Sequence, residues 1–477
     1  MDERGSASAA FRSSLEREES TVSGPERKIP ILHLVERDEL LEKTRNERLF
    51  VAGGATLKRQ EEGPGGGHWI ELNQPNQDVF EIDSTTGLVM VADGFGGWDA
   101  GDLASSAACK AMEERVKFEF ESLFILSEEQ ARAMKEYKPE LSLASEFVKN
   151  DLKLDPSRFA DRSDVEYALR EGLVCANKKV NEVATEGGTT VSAVVIYETL
   201  EGKRHAVIAN RGDSRVYLFR RGMLSQLTRD DSVVQELVDR KLLLDDEDVG
   251  AKLSSEALDY LGTALDSEEG EYIPGTTVRN IRNVVTMGLS KADKSVAKTS
   301  LQDIELHDED LLIEVTDGVS DNLTRGTTGE IVAHNVKRDP RDIAAELVKE
   351  GKAVAHTKDP RAKEDDMTAL VVRIEKNSMS LNELLEKKLK SWRKDTLDKM
   401  KDFLKLDTLF QELYAVRNQL EIAMKARPKN KKLAALRDHV YARLELHEGH
   451  VVALGKISSK AIKPANIREK TVKTAHG

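Results

Sequence analysis

The chain is short of cysteine and of long hydrophobic runs, and it lacks the short signatures of several common hydrolase classes. Only Cys109 and Cys175 occur in 477 residues, without metal-ligand spacing. That argues against a disulfide framework and for a reducing compartment. No apolar run approaches the roughly 18 to 20 residues of a membrane span. The opening MDERGSASAAFRSSLEREES lacks the basic-then-apolar order of a secretory leader. A cytoplasmic protein without a transmembrane segment is therefore expected. The ten histidines form no HExxH pattern, and the glycines at 64–67 lack the Lys-Ser/Thr of a phosphate-cradling loop.

What remains is a polar, acidic chain. Hydrophobic residues make up 39% and charged residues 33%, with a net charge of −13, which disfavours nucleic acid as a main partner. The length exceeds what one core usually holds, so two or more units are expected. The charge is uneven. From Ser378 to Gly477 there are about 22 Lys and Arg against about 12 Asp and Glu, so a basic tail follows an acidic body.

Residues 1–28 are rich in Ser, Glu and Arg without periodicity and read as disordered. From 29 to 377 short β-like runs alternate with turn signals. They are DVFEID (78–83), GLVMVAD (87–93), TTVSAVVIY (189–197), KRHAVIAN (203–210), SRVYLFR (214–220), DLLIEVTD (310–317) and MTALVVRI (367–374). A long helical segment at about 102–185 and another at 330–350 lie between them. Strands in succession with helices in blocks predict an α+β fold. In 378–477, Ser380 and Glu383 form a capping-box signature. Apolar residues at helical spacing run to about Met424, and a second helix covers about 433–453. This predicts an appended helical hairpin, suited to packing, to self-association or to docking a protein partner.

One construction recurs. In VMVADGFGG an apolar strand delivers Asp93 into a turn at Gly94, and in LLIEVTDGVSD another delivers Asp317 to Gly318, with Asp321 four residues on. Asp78 opens a strand, and Asp365 and Asp366 precede another. An isolated Asp-Gly is most often only a tight turn. Several strand-end aspartates that converge would repel one another unless they bound protons or cations. An all-oxygen site of this kind suits Mg²⁺ or Mn²⁺, and two such ions sharing a carboxylate can activate water. Asp93 would then be the shared ligand, and the Gly94 carbonyl could add an oxygen. No Ser/His/Asp triad or Cys nucleophile is needed.

The order of these motifs resembles the metal-dependent protein phosphatases, the type 2C serine/threonine phosphatases, in their bacterial style. NQDVFEID, VADGFGGWDAGDLAS, GGTTVSAVVI, IANRGDSRVYLFRRGMLSQLTRDDS, RNVVTMGL, LLIEVTDGVSDNLT and DDMTALVV follow in sequence from about Asn73 to Ile374. The resemblance implies two packed antiparallel sheets flanked by helices, with a metal site at one edge. It implies that Asp93 bridges two Mn²⁺ or Mg²⁺ ions, that Gly94 ligates one, and that Asp317 and Asp365 complete the first shell. Asp78 would act on the second ion through water. Asp213 and Asp321 match positions tied to a third, weaker ion. The implied activity is hydrolysis of phosphoserine or phosphothreonine in a protein by metal-activated water.

Plainer roles compete. Asp213 could pair with Arg215, Asp321 could cap the helix after it, and Thr189 and Thr190 could serve only the sheet. Asp366 stands where the family has Asn and is not taken as a ligand. The family arginine that grips phosphate is replaced by Asn73, with Arg59 and His68 the nearest upstream alternatives. The segment 249–280 is longer than the family minimum and could restrict substrates. The alternative reading is a weak or inactive phosphatase-like module that acts through its C-terminal helices.

Overall fold

The computed structural model describes residues 49–62, 69–71, 75–96, 100–124, 143–184, 186–264, 275–376, 379–399 and 403–457. The disordered segment expected at 1–28, together with His68 and Asn73, lies outside these residues.

In chain order the strands are β1 (Phe50–Leu57), β2 (Gln60–Glu62), β3 (Trp69–Glu71), β4 (Asp78–Asp83), β5 (Leu88–Phe95), β6 (Gly188–Thr189) and β7 (Val191–Glu198). They continue with β8 (Arg204–Arg211), β9 (Arg215–Arg220), β10 (Met223–Gln226), β11 (Leu289–Ser290), β12 (Leu301–Leu306), β13 (Leu311–Val315) and β14 (Met367–Ile374). One sheet runs β1-β14-β13-β9-β10. The other runs β11-β6-β5-β7-β8-β12, with β4 also on β5. The pairs within both sheets are antiparallel. The α+β expectation of two antiparallel sheets flanked by helices holds.

The apolar run in β5 is continuous because both of its faces are covered. Val89 and Val91 point between the sheets, against Val194, Ile208, Val216, Leu312 and Leu370. Leu88, Met90 and Ala92 point outward into a second core with Met112, Val116, Leu169 and Leu173. These last come from the helices Gly101–Glu121 and Arg162–Val183. The outer face of the other sheet is covered by the helix Pro340–Ala355, lying on β1 and β14.

The helical block expected at 102–185 is broken. The first helix ends at Glu121, and Pro156 opens a separate short turn whose N–H groups are served by Asp155. The helix Arg162–Val183 starts at a new capping box, Asp161 with Asp164. Each interruption has a local cause: proline lacks an N–H, and aspartate side chains satisfy the first free donors of a helix.

The Ser380–Glu383 capping box forms, with Ser380 N donating to Glu383 at 2.9 Å and Glu383 N to Ser380 Oγ at 3.2 Å. Helices Leu381–Lys399, Phe403–Ala426 and Lys431–Ile457 follow. Leu413, Val416, Leu420, Leu433, Leu436 and Val440 join the outer core of the body. The apolar positions described between Leu413 and Val440 are therefore buried within this chain. A smaller cluster, Val233, Leu237, Leu253, Leu261 and Ile281, organises the region that includes 249–280.

Candidate metal centre

Asp78 and Asp93 are cross-strand partners in the β4–β5 register. Thr190 N donates to the Asp93 carbonyl at 2.8 Å, Thr189 Oγ1 to the same oxygen at 2.9 Å, and Asp93 N to Thr190 Oγ1 at 3.1 Å. The two threonines do more than serve the sheet: they fix the backbone that carries Asp93. Thr316, at the end of β13, donates to Asp78 Oδ2 at 2.7 Å and accepts from Thr368 N at 3.0 Å. It was missed from the sequence, where its only signal is a hydroxyl directly before Asp317-Gly318.

Both Asp-Gly steps are sites of close approach. A Cβ on Gly94 would stand 2.0 Å from the Gly101 carbonyl oxygen, and one on Gly318 would stand 1.8 Å from that of Asp366. No larger residue fits either step. The aspartates sit where they do because the next residue lets a neighbouring backbone pack against the turn.

The carboxylates gather. Burial pushes the Asp93 carboxyl well above the usual range, and Asp78, Asp317, Asp365 and Asp213 add to the shift by repulsion. Burial raises Asp78 as well, with help from Asp366, Asp365 and Asp317 and against the Thr316 hydrogen bond. Asp213 rises for the same first reason, with Asp317 and Asp230 beside it and Lys363 opposing. Buried oxygens Asp78 Oδ1 and Asp317 Oδ1 have no hydrogen-bond partner. An all-carboxylate donor set with unpartnered buried oxygens fits a hard divalent cation.

The carboxylates do not close fully around an ion. Among the described residues, no three His, Cys, Asp or Glu side chains close into a cage around one point. The Lys363 ammonium lies 3.0 Å from both Asp321 and Asp365 and is also paired with Asp317. Lys363 went unnoticed in the sequence, where it reads as one more charge in RAKEDDM.

Three plainer roles are now decided. Arg215 pairs with Asp230 at 2.6 Å and Asp246 at 2.9 Å instead of with Asp213. Asp321 ends the short helix Asp317–Ser320 instead of starting the next, whose first turn is capped by Thr324. Both Asp366 oxygens are taken by backbone donors, Arg59 N at 2.6 Å and Gln77 N at 2.7 Å, in keeping with its exclusion as a ligand. Glu247, just ahead of the segment 249–280, is tied to the edge of the site: Arg361 donates to its carbonyl at 2.6 Å and to that of Ser320 at 3.2 Å.

The sequence profile of protein phosphatase 2C matches residues 65–349, more than half of the chain. The chain belongs to the protein phosphatase 2C family. It is 31% identical over 172 residues to a serine/threonine phosphatase stp from Listeria welshimeri, covering 35% of this chain and 52% of that protein. The stp of Listeria monocytogenes serovar 1/2a is 30% identical over the same length and coverage. The chain thus spans about half the length of the curated relatives it matches. A solved serine/threonine phosphatase, PstP/Ppp of Mycobacterium tuberculosis, is 20% identical with a TM-score of 0.40, over 68% of this chain and 99% of that one. Among the described residues no helix is long and apolar enough to cross a membrane, and both cysteines are free.

Proposed function

We propose that this member of the protein phosphatase 2C family is a metal-dependent protein serine/threonine phosphatase, acting on phosphoserine and phosphothreonine of protein substrates in the cytoplasm. The observation that carries the reading is the gathering of Asp78, Asp93, Asp213 and Asp317 at one edge of the sandwich, where burial and then neighbouring carboxylates push Asp78, Asp93 and Asp213 well above the usual range. The similarity to proteins named serine/threonine phosphatase supports it.

Asp93 and Asp317, with the Gly94 carbonyl, are the residues to hold Mn²⁺ or Mg²⁺, and Asp78 to orient a water. Asp365, and Asp213 with Asp321 for a third ion, complete the set read from the sequence. Bound ions would supply the charge that activates water for in-line attack on phosphorus. The chain's own part is positioning. Thr189 and Thr190 fix Asp93, and Thr316 holds one oxygen of Asp78 while leaving the other free to accept. Arg59, held beside Asp366 through its backbone, is the described residue of the two upstream candidates that could meet a substrate phosphate. A partner of the region 378–477 would meet the hairpin's outward face, since the inward face is buried on the body.

A weak or inactive module is the second reading, and Lys363 among three of the carboxylates favours it. Hydrolysis of p-nitrophenyl phosphate and of a phosphothreonine peptide, with Mn²⁺, Mg²⁺ or EDTA, separates the two. We expect turnover that needs the metal and falls by about 100-fold or more in Asp93→Asn. Folded protein that turns over neither substrate with either metal would favour the module.

A further inference from the structure

The acidic edge holds two groups of carboxylates that share Asp317 and Asp365 but differ in the charge that answers them. In one, the charges that act most on Asp93 are those of Asp78, Asp317, Asp365 and Asp213, all negative. In the other, Asp317, Asp321 and Asp365 surround a single ammonium, that of Lys363, whose side chain is 10% exposed.

Lys363 is not a surface side chain that happens to fold inward. Its N–H donates to Asn322 Oδ1 at 2.9 Å, and its carbonyl accepts from Asn322 Nδ2 at 2.9 Å. The same amide donates to the Gly318 carbonyl at 2.7 Å and is itself buried. The Asn322 side chain thus ties the lysine backbone to the turn that carries Asp317. Two residues earlier, Arg361 is anchored to the carbonyls of Glu247 and Ser320, and its own carbonyl accepts from Arg282 at 3.0 Å. Arg282 also reaches Asp321 at 3.7 Å. With the backbone clamped on both sides, the ammonium is aimed at one place, the space between three carboxylates.

A divalent ion and an ammonium cannot occupy that place together. Both are cations, and an ion between these three acids would need the Oδ2 atoms of Asp317, Asp321 and Asp365 that the ammonium contacts. Asp317 Oδ1, by contrast, is left without a partner and stays available to an ion shared with Asp93. The ammonium is a compact point charge with three donors, enough for the three acids around it.

We propose that Lys363 is a built-in cation that holds Asp317, Asp321 and Asp365 in place of a divalent ion, so that this chain takes fewer divalent ions than its carboxylate set could bind. The proposal rests on the metal-dependent reading above and sharpens it: ions enter beside Asp78 and Asp93, and the space between Asp317, Asp321 and Asp365 is neutralised by the protein itself.

The test counts bound metal and does not depend on turnover. Mn²⁺ bound per folded chain is measured at matched free Mn²⁺, by calorimetry and by electron paramagnetic resonance of the free ion, for the wild type, Lys363→Met and Lys363→Arg. Lys363→Met keeps the apolar stem and removes the charge; Lys363→Arg keeps the charge. We expect Lys363→Met to bind at least one more equivalent than the wild type, and Lys363→Arg to match the wild type. Thermal melts of the same proteins give a second readout. Lys363→Met should melt below the wild type in EDTA and recover on addition of Mn²⁺ by more than the wild type gains. Equal Mn²⁺ counts in the wild type and Lys363→Met overturn the proposal, even if the enzyme is active. An extra equivalent in Lys363→Met sustains it, even if neither protein hydrolyses a phosphoester. Should Lys363→Met fail to fold, Lys363→Ser takes its place with the same two outcomes.

Discussion

Two regions of this molecule bury ionisable side chains, and they do so to opposite ends. At the sheet edge, Asp78, Asp93 and Asp213 face other carboxylates, and buried oxygens on Asp78 and Asp317 find no hydrogen-bond donor. Beneath the C-terminal hairpin Lys432, Asn430 and Arg427 find their partners inside the chain, although the buried His439 Nε2 there has no hydrogen-bond partner. Lys432 Nζ donates to the Ala160 carbonyl at 2.5 Å, and Asn430 Nδ2 to the Phe159 carbonyl at 3.1 Å and Asp164 at 2.8 Å. Arg427 pairs with Asp164 at 3.1 Å. A buried charge left without a protein partner anticipates a ligand; one that is answered within the chain fixes a segment in place. The first region is where chemistry is to be sought, and the second is fold.

If that contrast is right, damage to the hairpin's seat should cost stability and leave the edge alone. Leu436 is fully buried in the shared outer core. Leu436→Ala should lower unfolding free energy by about 3 kcal/mol, read from urea denaturation, with Mn²⁺ binding per folded chain unchanged. A hairpin that can be damaged without loss of stability would break the comparison.

Lys432 sharpens it through pH. Burial, with Arg158 nearby, pushes its ammonium down from its ordinary value of 10.5 to about 7. Between those values the unfolded chain binds the proton more fully than the folded one, so stability rises with pH across the window from about 7 to 10.5. Relative to Lys432→Met, the wild type should gain about 2 kcal/mol between pH 7 and pH 9. Parallel pH profiles for the two proteins would show that the ammonium is not confined as its contacts imply.

Much of this was legible from residue order. The two sheets follow from short β-rich runs, and the gathering of the aspartates from their place at strand ends. The Asp-Gly steps carried the strongest signal because they answer two needs, a carboxylate at the turn and a neighbouring backbone packed close behind it. Lys363 was not legible, because one lysine in a charged stretch looks solvated until Asn322 is seen to clamp its backbone. Thr316 is similar: a hydroxyl gains meaning only when a second strand brings Asp78 to it. The seat of the hairpin was half legible. Helical spacing gave its apolar stripe, but nothing local says that the stripe meets the short segments Ser122–Phe124 and Leu143–Glu146 of the same chain. The breaks inside 102–185 were missed because its apolar spacing outweighed the capping aspartates.

Glu314 belongs to neither region and tests the rule between them. It lies on β13, fully buried, on the face shared with Leu312, which points between the sheets. Its carboxyl lies by the backbone of Val91, but neither oxygen makes a hydrogen bond of normal geometry. Burial holds its pKa well above the usual carboxylate value, and the Val91 backbone only partly opposes this. Like the edge carboxylates it lacks a full partner, yet it is walled in by Val91, Val216 and Leu370 with no open side to admit a ligand. The sign follows from proton counting. Below the ordinary glutamate value of 4.5 both states carry the proton. Above it the unfolded chain releases the proton while the folded one retains it, so stability is lost as pH rises toward the folded pKa. Glu314→Leu should therefore be more stable than the wild type by about 1 kcal/mol at pH 7, with the gain shrinking toward pH 4. Thermal melts of the two proteins across that range check it. A variant that is less stable at pH 7 would mean that the carboxyl contributes an interaction to the core. An unpartnered buried charge would then not be enough to mark a place where the chain awaits a ligand.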